Sequence, residues 1–133
     1  MNILFICNGN VARSQEAELF FNSSKLAGTM HATSAGINVR IGKPIDPIVI
    51  QVMAEAGHTL EGAKRKFADK RRVDAADLIV SFVPKDKLPA HIQSHQKIRF
   101  WQVDDPRHQS LEFHRRARDQ IKEQVDTLTN ELH

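Results

Sequence analysis

The stretch Cys7-Asn8-Gly9-Asn10-Val11-Ala12-Arg13-Ser14 constrains this chain more than any other. It follows directly on an apolar run, Ile3-Leu4-Phe5-Ile6, and it precedes a helical pattern that begins at Gln15. A strand, a short loop rich in Gly and Asn, and a helix together make an anion cradle. Successive loop N–H groups converge on one point, and the helix N-terminus adds partial positive charge there. This loop also carries a thiol at its first position and a guanidinium six residues later. A thiolate is a strong nucleophile, and the donor fork of Arg fits two oxygens of a tetrahedral oxyanion. Ser14 can donate a hydrogen bond to the sulfur and stabilise its anionic form. The stretch holds a nucleophile and a docking site for the group it attacks.

Composition narrows the setting. A chain of 133 residues forms one domain, residues 1–133, with room for a proper core. Its hydrophobic and charged fractions, 41% and 26%, are those of a soluble globular protein. The single Cys excludes an internal disulfide, and a reactive thiol suits a cytoplasmic location. Met1 to Ile6 is too short for the apolar centre of a signal sequence and runs straight into polar residues. No stretch approaches the roughly 20 apolar residues of a membrane span, so no membrane partner is expected. A formal charge of +3 and a pI near 9.2 fit an anionic substrate. The basic residues are not gathered with aromatic platforms, which argues against nucleic acid.

Taken in order, strand and helix patterns alternate. Asn2–Ile6 reads as a strand buried on both faces. Gln15–Leu26 reads as a helix with Ser14 as its N-cap. A second strand is expected over Met30–Ser34, running out at Ala35-Gly36. Ile45, Ile48, Val49, Val52, Met53 and Ala56 recur at helical spacing, with Gly57 as a natural stop and Asp46-Pro47 at the helix start. A helical turn over Asp74–Ala76 precedes the strongest central-strand candidate, Leu78–Val83. Pro84–His95 reads as loop and short helix, and Lys97–Trp101 as a fourth strand with Phe100 and Trp101 in the core. Asp105-Pro106 marks a turn. A long helix fits Ser110–Leu132, where Leu111, His114, Ala117, Ile121, Val125 and Leu128 recur at spacings of three and four.

Strands separated by helices imply an α/β fold: a three-layer sandwich in which helices cover both faces of a four-stranded parallel sheet. Ligands of such folds bind beyond the carboxyl ends of the strands, where the strand order reverses. Cys7 ends the first strand and Asp105 follows the fourth, so both can reach one rim.

The spacing C-x5-R-S at Cys7, Arg13 and Ser14 resembles the phosphate loop of the low-molecular-weight protein tyrosine phosphatases, a superfamily that also contains thioredoxin-coupled arsenate reductases. The likeness extends through Asn10, Ser34-Ala35-Gly36, Ala76-Asp77-Leu78-Ile79-Val80 and Asp105-Pro106, and so covers essentially the whole chain. It implies the phosphotyrosine protein phosphatase I fold and a phosphatase that hydrolyses phosphomonoesters, above all protein phosphotyrosine, through a phosphocysteine intermediate. By that resemblance Cys7 attacks phosphorus, and Arg13 with the N–H groups of Asn8, Gly9, Asn10, Val11, Ala12, Arg13 and Ser14 binds the phosphoryl oxygens. Asp105 protonates the leaving oxygen and then activates water, with neighbouring Asp104 as the rival for that role. Asn10 takes a left-handed conformation and ties the loop together. No metal or cofactor is implied, and the expected partner is a phosphorylated protein or a small phosphate or oxyanion.

Departures from the family pattern define the alternatives. Ala12 stands where many relatives carry a second Cys, the chain has no Tyr, and Arg107-His108 replaces the tyrosine pair that often follows Asp-Pro. The loop Asn38-Val39-Arg40-Ile41 lacks the aromatic residue that helps wall a phosphotyrosine pocket. Ser14-Gln15 and Phe100-Trp101 resemble the arsenate reductase branch. The internal relay of that branch needs further cysteines, and Phe82–Pro89 has none, so arsenate reduction would need an external low-molecular-weight thiol. A catalytically weak phosphate-binding module is the third reading. The basic run Lys64-Arg65-Lys66 and Lys70-Arg71-Arg72 is read as a solvated face, and His91 with His95 as a surface pair.

Overall fold

A computed structural model describes all 133 residues, Met1–His133. The chain runs β1 (Asn2–Cys7), α1 (Arg13–Asn22), β2 (His31–Gly36), α2 (Pro47–Glu55), α3 (Lys70–Ala75), β3 (Leu78–Ser81), a 3-10 turn (Lys85–Lys87), α4 (Ala90–Gln93), β4 (Ile98–Phe100) and α5 (Leu111–Leu132). The strands form one four-stranded sheet in the order β2-β1-β3-β4, and every pairing is parallel. The chain order therefore reverses at β1, which puts the ligand-binding crevice of such a sheet above the end of that strand. Cys7 is its last residue.

Alternation along β1 builds the two halves of the core. Ile3, Phe5 and Cys7 face a larger cluster that includes Phe20 and Phe21 of α1, Val49 and Met53 of α2, and Ala117, Ile121, Val125 and Leu128 of α5. Leu4 and Ile6 face a smaller one with Val73 of α3 and Ile92 of α4. Both faces are covered, so β1 reads as an unbroken apolar run. Phe5 packs between Phe21 and Trp101, with ring centroids at 6.3 and 5.7 Å. Phe100 departs from its predicted core position and is 43% exposed. Residues next to each other in a strand point to opposite faces, so seating Trp101 on the core turns Phe100 outward at this edge strand.

The helix ends show which local signals decided. Ser110 caps α5, its hydroxyl accepting from the Phe113 N–H at 3.1 Å. Pro47 occupies the first turn of α2, and Gly57 just beyond that helix takes φ +86. Ser14 is not the cap predicted for α1. The helix begins two residues earlier, after Ala12, with no side-chain cap, and Ser14 lies inside its first turn. The turn predicted at Asp74–Ala76 is the end of α3, a helix that starts at Lys70 and is capped by the Asp69 carboxylate on the Arg72 N–H.

Candidate active site

None of the backbone N–H groups of residues 8–14 has an acceptor within the protein. In a helix start this loss is normally made good by a capping side chain or a ligand. Here the uncapped end of α1 and the loop before it leave a run of unpaired donors directly after Cys7, which is itself 3% exposed. Such donors, aimed and held before a ligand arrives, suit a tetrahedral oxyanion.

The loop is held by a buried polar network centred on Asn10, which is fully buried and has φ 54. Its Oδ1 accepts from the Lys66 backbone N–H at 2.7 Å and from Gln15 Nε2 at 3.0 Å. A backbone N–H can only donate, so this fixes the orientation of the amide. Nδ2 then donates to Ser14 Oγ at 2.8 Å and Ser34 Oγ at 3.0 Å. The Ser34 hydroxyl in turn donates to Glu18 Oε1 at 2.9 Å. Because Ser14 Oγ accepts from Asn10, its hydroxyl proton is free for Cys7 Sγ, 2.9 Å away. The network therefore delivers one oriented donor to the sulfur. Gly36 at the end of β2 lies so close beneath the loop that a Cβ there would meet Asn8 O at 2.6 Å and Asn10 N at 2.8 Å.

Arg13 reaches across the carboxyl ends of the strands. Its Nη1 donates to Val103 O at 3.1 Å, its Nη2 lies 3.6 Å from Asp105 Oδ2, and its guanidinium sits 5.9 Å from the centre of the Phe82 ring. Asp105 Oδ1 also accepts from the Arg107 N–H at 3.0 Å, which folds the Asp105-Pro106 turn back over the site. Asp104 faces elsewhere, in a shallow depression with Phe113 and Arg116.

The sequence-predicted residues meet in one cavity of about 210 Å³, lined by Cys7, Asn8, Gly9, Val11, Ala12, Arg13 and Asp105. Asn10 and Ser14 stand behind the wall as supports. The same cavity is lined by Asp46, Val49, Arg65 and His114, which the sequence did not mark as belonging to it, and by Arg107 and His108 after Asp105-Pro106 with Asn38 and Arg40 from the loop after β2. Arg65 departs from the expected solvated face. Its side chain is 10% exposed, bonded to Pro44 O at 2.7 Å and to Asp46 Oδ1 at 3.2 Å. Helical spacing of buried positions on α5 picks out His114 as a core residue, but only the tertiary structure puts it under this cavity. Burial lowers its pKa from the ordinary histidine value, while the charges of Asp46 and Asp105 and a bond to the Pro106 backbone oppose the shift. His91 and His95 bond backbone carbonyls, Ala68 O and Ala76 O, at 3.0 and 2.8 Å.

One further ionisable group is buried against the start of α1. Glu16 is 1% exposed, and both its carboxyl oxygens lack a hydrogen-bond partner. Burial pushes its pKa up to about 8, with the Arg118 charge pulling the other way, so the group is uncharged at neutral pH.

The family model described as low molecular weight phosphotyrosine protein phosphatase matches residues 2–133. Glutaredoxin arsenate reductase of a Synechocystis species is 32% identical over 127 residues, 95% of this chain and 94% of that protein. The structure of a low molecular weight protein tyrosine phosphatase from T. tengcongensis superposes with a TM-score of 0.89 at 28% identity, covering 98% and 99% of the two chains. An arsenate reductase in a phosphate-binding state superposes with a TM-score of 0.82 at 30% identity, over 99% and 98%. No helix is long and apolar enough to cross a membrane.

Proposed function

The chain belongs to the low molecular weight phosphotyrosine protein phosphatase family, and from that premise we propose that it is a cysteine-dependent phosphatase acting on phosphomonoesters, with Cys7, Arg13 and Asp105 as its catalytic residues. The observation that carries the reading is the juxtaposition of a buried sulfur, the run of unpaired N–H donors that follows it and an Arg13 guanidinium reaching Asp105 across the rim.

Cys7 Sγ attacks the phosphorus of a phosphoryl group seated in the cradle. The S–P bond forms as the bond to the leaving oxygen breaks. The loop N–H groups and Arg13 hold the three equatorial oxygens, where charge is spread in the transition state. Asp105 gives its proton to the leaving oxygen. Its carboxylate then takes a proton from water, whose oxygen attacks phosphorus and returns Cys7 to its thiolate. The Ser14 hydroxyl stabilises the sulfur as nucleophile and again as leaving group. Asp105 is favoured over Asp104 because it alone lines the cavity and faces Arg13.

Hydrolysis of p-nitrophenyl phosphate by the wild type, Cys7→Ser and Asp105→Asn tests this reading. Release of p-nitrophenol should vanish in Cys7→Ser, which keeps its affinity for inorganic phosphate. Asp105→Asn should be slowed, by about 10²-fold or more for a less activated leaving group such as phenol. A wild type without phosphatase activity overturns the proposal.

Arsenate reduction is the second reading, supported by the similarity to arsenate reductases. Arsenate would condense with Cys7. With no other cysteine in the chain, an external thiol would attack the Cys7 sulfur, releasing arsenite and leaving a mixed disulfide. A second thiol would reduce that disulfide. Arsenite formation with added glutathione, lost in Cys7→Ser, is the corresponding assay.

A further inference from the structure

Four arginines line the cavity, and their partners divide them into two pairs. Arg13 and Arg65 each face a carboxylate, Asp105 at 3.6 Å and Asp46 at 3.2 Å. Arg40 and Arg107 line the same cavity, and neither guanidinium has an ion pair or a hydrogen bond within the protein. Outside the cavity Arg72, Arg99, Arg115 and Arg118 meet carboxylates, whereas Arg71 and Arg116 do not.

Topology places the two free arginines on opposite sides of the loop. Arg40 follows β2 and Arg107 follows the segment after β4, and these strands flank the central pair at the two edges of the sheet. Arg107 is further fixed at its backbone, where its N–H closes the turn on Asp105 Oδ1 at 3.0 Å. The wall between them is not built for a ring. It contains no Phe, Tyr or Trp, and its apolar members are Val11, Ala12 and Val49 with the Cys7 side chain. A leaving group would meet guanidinium donors there rather than an aromatic face.

Resting on the phosphatase reading, we propose that Arg40 and Arg107 form a second anion subsite. The preferred substrate is then a phosphomonoester that carries another anionic group, a carboxylate or a second phosphate, close to the scissile phosphoryl. Guanidinium forks bind such groups through paired, charge-assisted bonds. Both side chains are exposed, so their effect is modest and is screened by salt.

The test compares phenyl phosphate with its 2-, 3- and 4-carboxyl derivatives, at low and high salt, for the wild type and Arg40→Gln/Arg107→Gln. The wild type should prefer at least one carboxylated isomer by about 3- to 10-fold in kcat/KM at low salt, and the double variant should lose that preference. Equal rates for all four esters, or a preference that survives in the double variant, would overturn the subsite. A calorimetric comparison of phenylphosphonate with the carboxyphenylphosphonates reads the subsite without turnover. If no ester is hydrolysed but the carboxylated phosphonate still binds more tightly through the two arginines, only the phosphatase reading fails. Two phosphotyrosyl peptides, one with Asp and Glu flanks and one with neutral flanks, identify the source of the second charge. A preference among peptides assigns a phosphoprotein, and one confined to the small esters assigns a metabolite.

Discussion

The Asn10 side-chain oxygen accepts a 2.7 Å hydrogen bond from the backbone N–H of Lys66, 56 residues further along the chain. This bond anchors the loop to a segment that also pairs with β2, through Gly36 N to Lys66 O at 2.8 Å and Ala68 N to Gly36 O at 2.9 Å. It also keeps the Asn10 amide turned so that its donors face Ser14 and Ser34.

Asn10→Ala should therefore cost stability and activity together. It leaves buried donors and acceptors unmatched, each worth about 1–3 kcal/mol, and puts Ala at φ 54, which adds about 1 kcal/mol. Urea denaturation is expected to show a loss of about 3 kcal/mol. Asn10→Gly should recover only the backbone part, and a full recovery by Gly would show that the hydrogen bonds contribute nothing.

Ser14→Ala removes the donor that faces Cys7 at 2.9 Å while leaving the helix intact. Alkylation of the thiol by iodoacetamide at pH 7 should slow by about 3- to 10-fold, in line with the net contribution of one hydrogen bond, about 0.5–1.5 kcal/mol. Hydrolysis of p-nitrophenyl phosphate should fall by more than alkylation, because the hydroxyl also stabilises the sulfur as it leaves. Unchanged alkylation would mean the hydroxyl does not serve the sulfur.

Gly36→Ala tests how closely the sheet supports the loop. The new methyl would meet backbone atoms of Asn8 and Asn10 at 2.6 and 2.8 Å, and backbone cannot turn aside as a flexible side chain can. Overpacking of this kind costs about 1–3 kcal/mol and displaces its neighbours. Affinity for inorganic phosphate, measured by calorimetry, should drop along with thermal stability. Wild-type affinity in a destabilised variant would place the movement in β2 instead of the loop.

Glu16 predicts a pH dependence with a definite sign. Its pKa in the folded protein, about 8, lies above the ordinary 4.5, so between these values the folded state holds a proton that the unfolded chain has lost. Stability from this group is full at low pH, declines as pH rises from about 4.5 to 8, and levels off above that. The limiting slope is about 1.4 kcal/mol per pH unit. Glu16→Met should flatten the profile and be the more stable protein at pH 8, since it removes a buried carboxylate without partners. Chemical denaturation of both proteins from pH 5 to 9 decides it, and parallel profiles would count against the buried charge.

The sequence by itself determined most of the elements and the place of the loop after β1. The apolar run of β1, the periodicity of α5 from His114 to Leu128 and the stop at Gly57 are local signals, readable because the relevant contacts repeat along a few turns of chain. That Cys7, Arg13 and Asp105 would meet at one rim was legible through spacing and resemblance. Ser14 misled as a cap because its hydroxyl is claimed by Cys7 and Asn10, a competition that capping propensity does not contain. Phe100 misled because only the seating of Trp101 decides which face of β4 turns inward. The tertiary structure alone decided that Arg65 and His114 join the cavity, that Arg40 and Arg107 stand there unpaired, and that Glu16 is sealed from water. Those outcomes depend on which distant segments meet across the sheet, and side-chain solvation and charge pairing are set by that meeting rather than by neighbours in the chain.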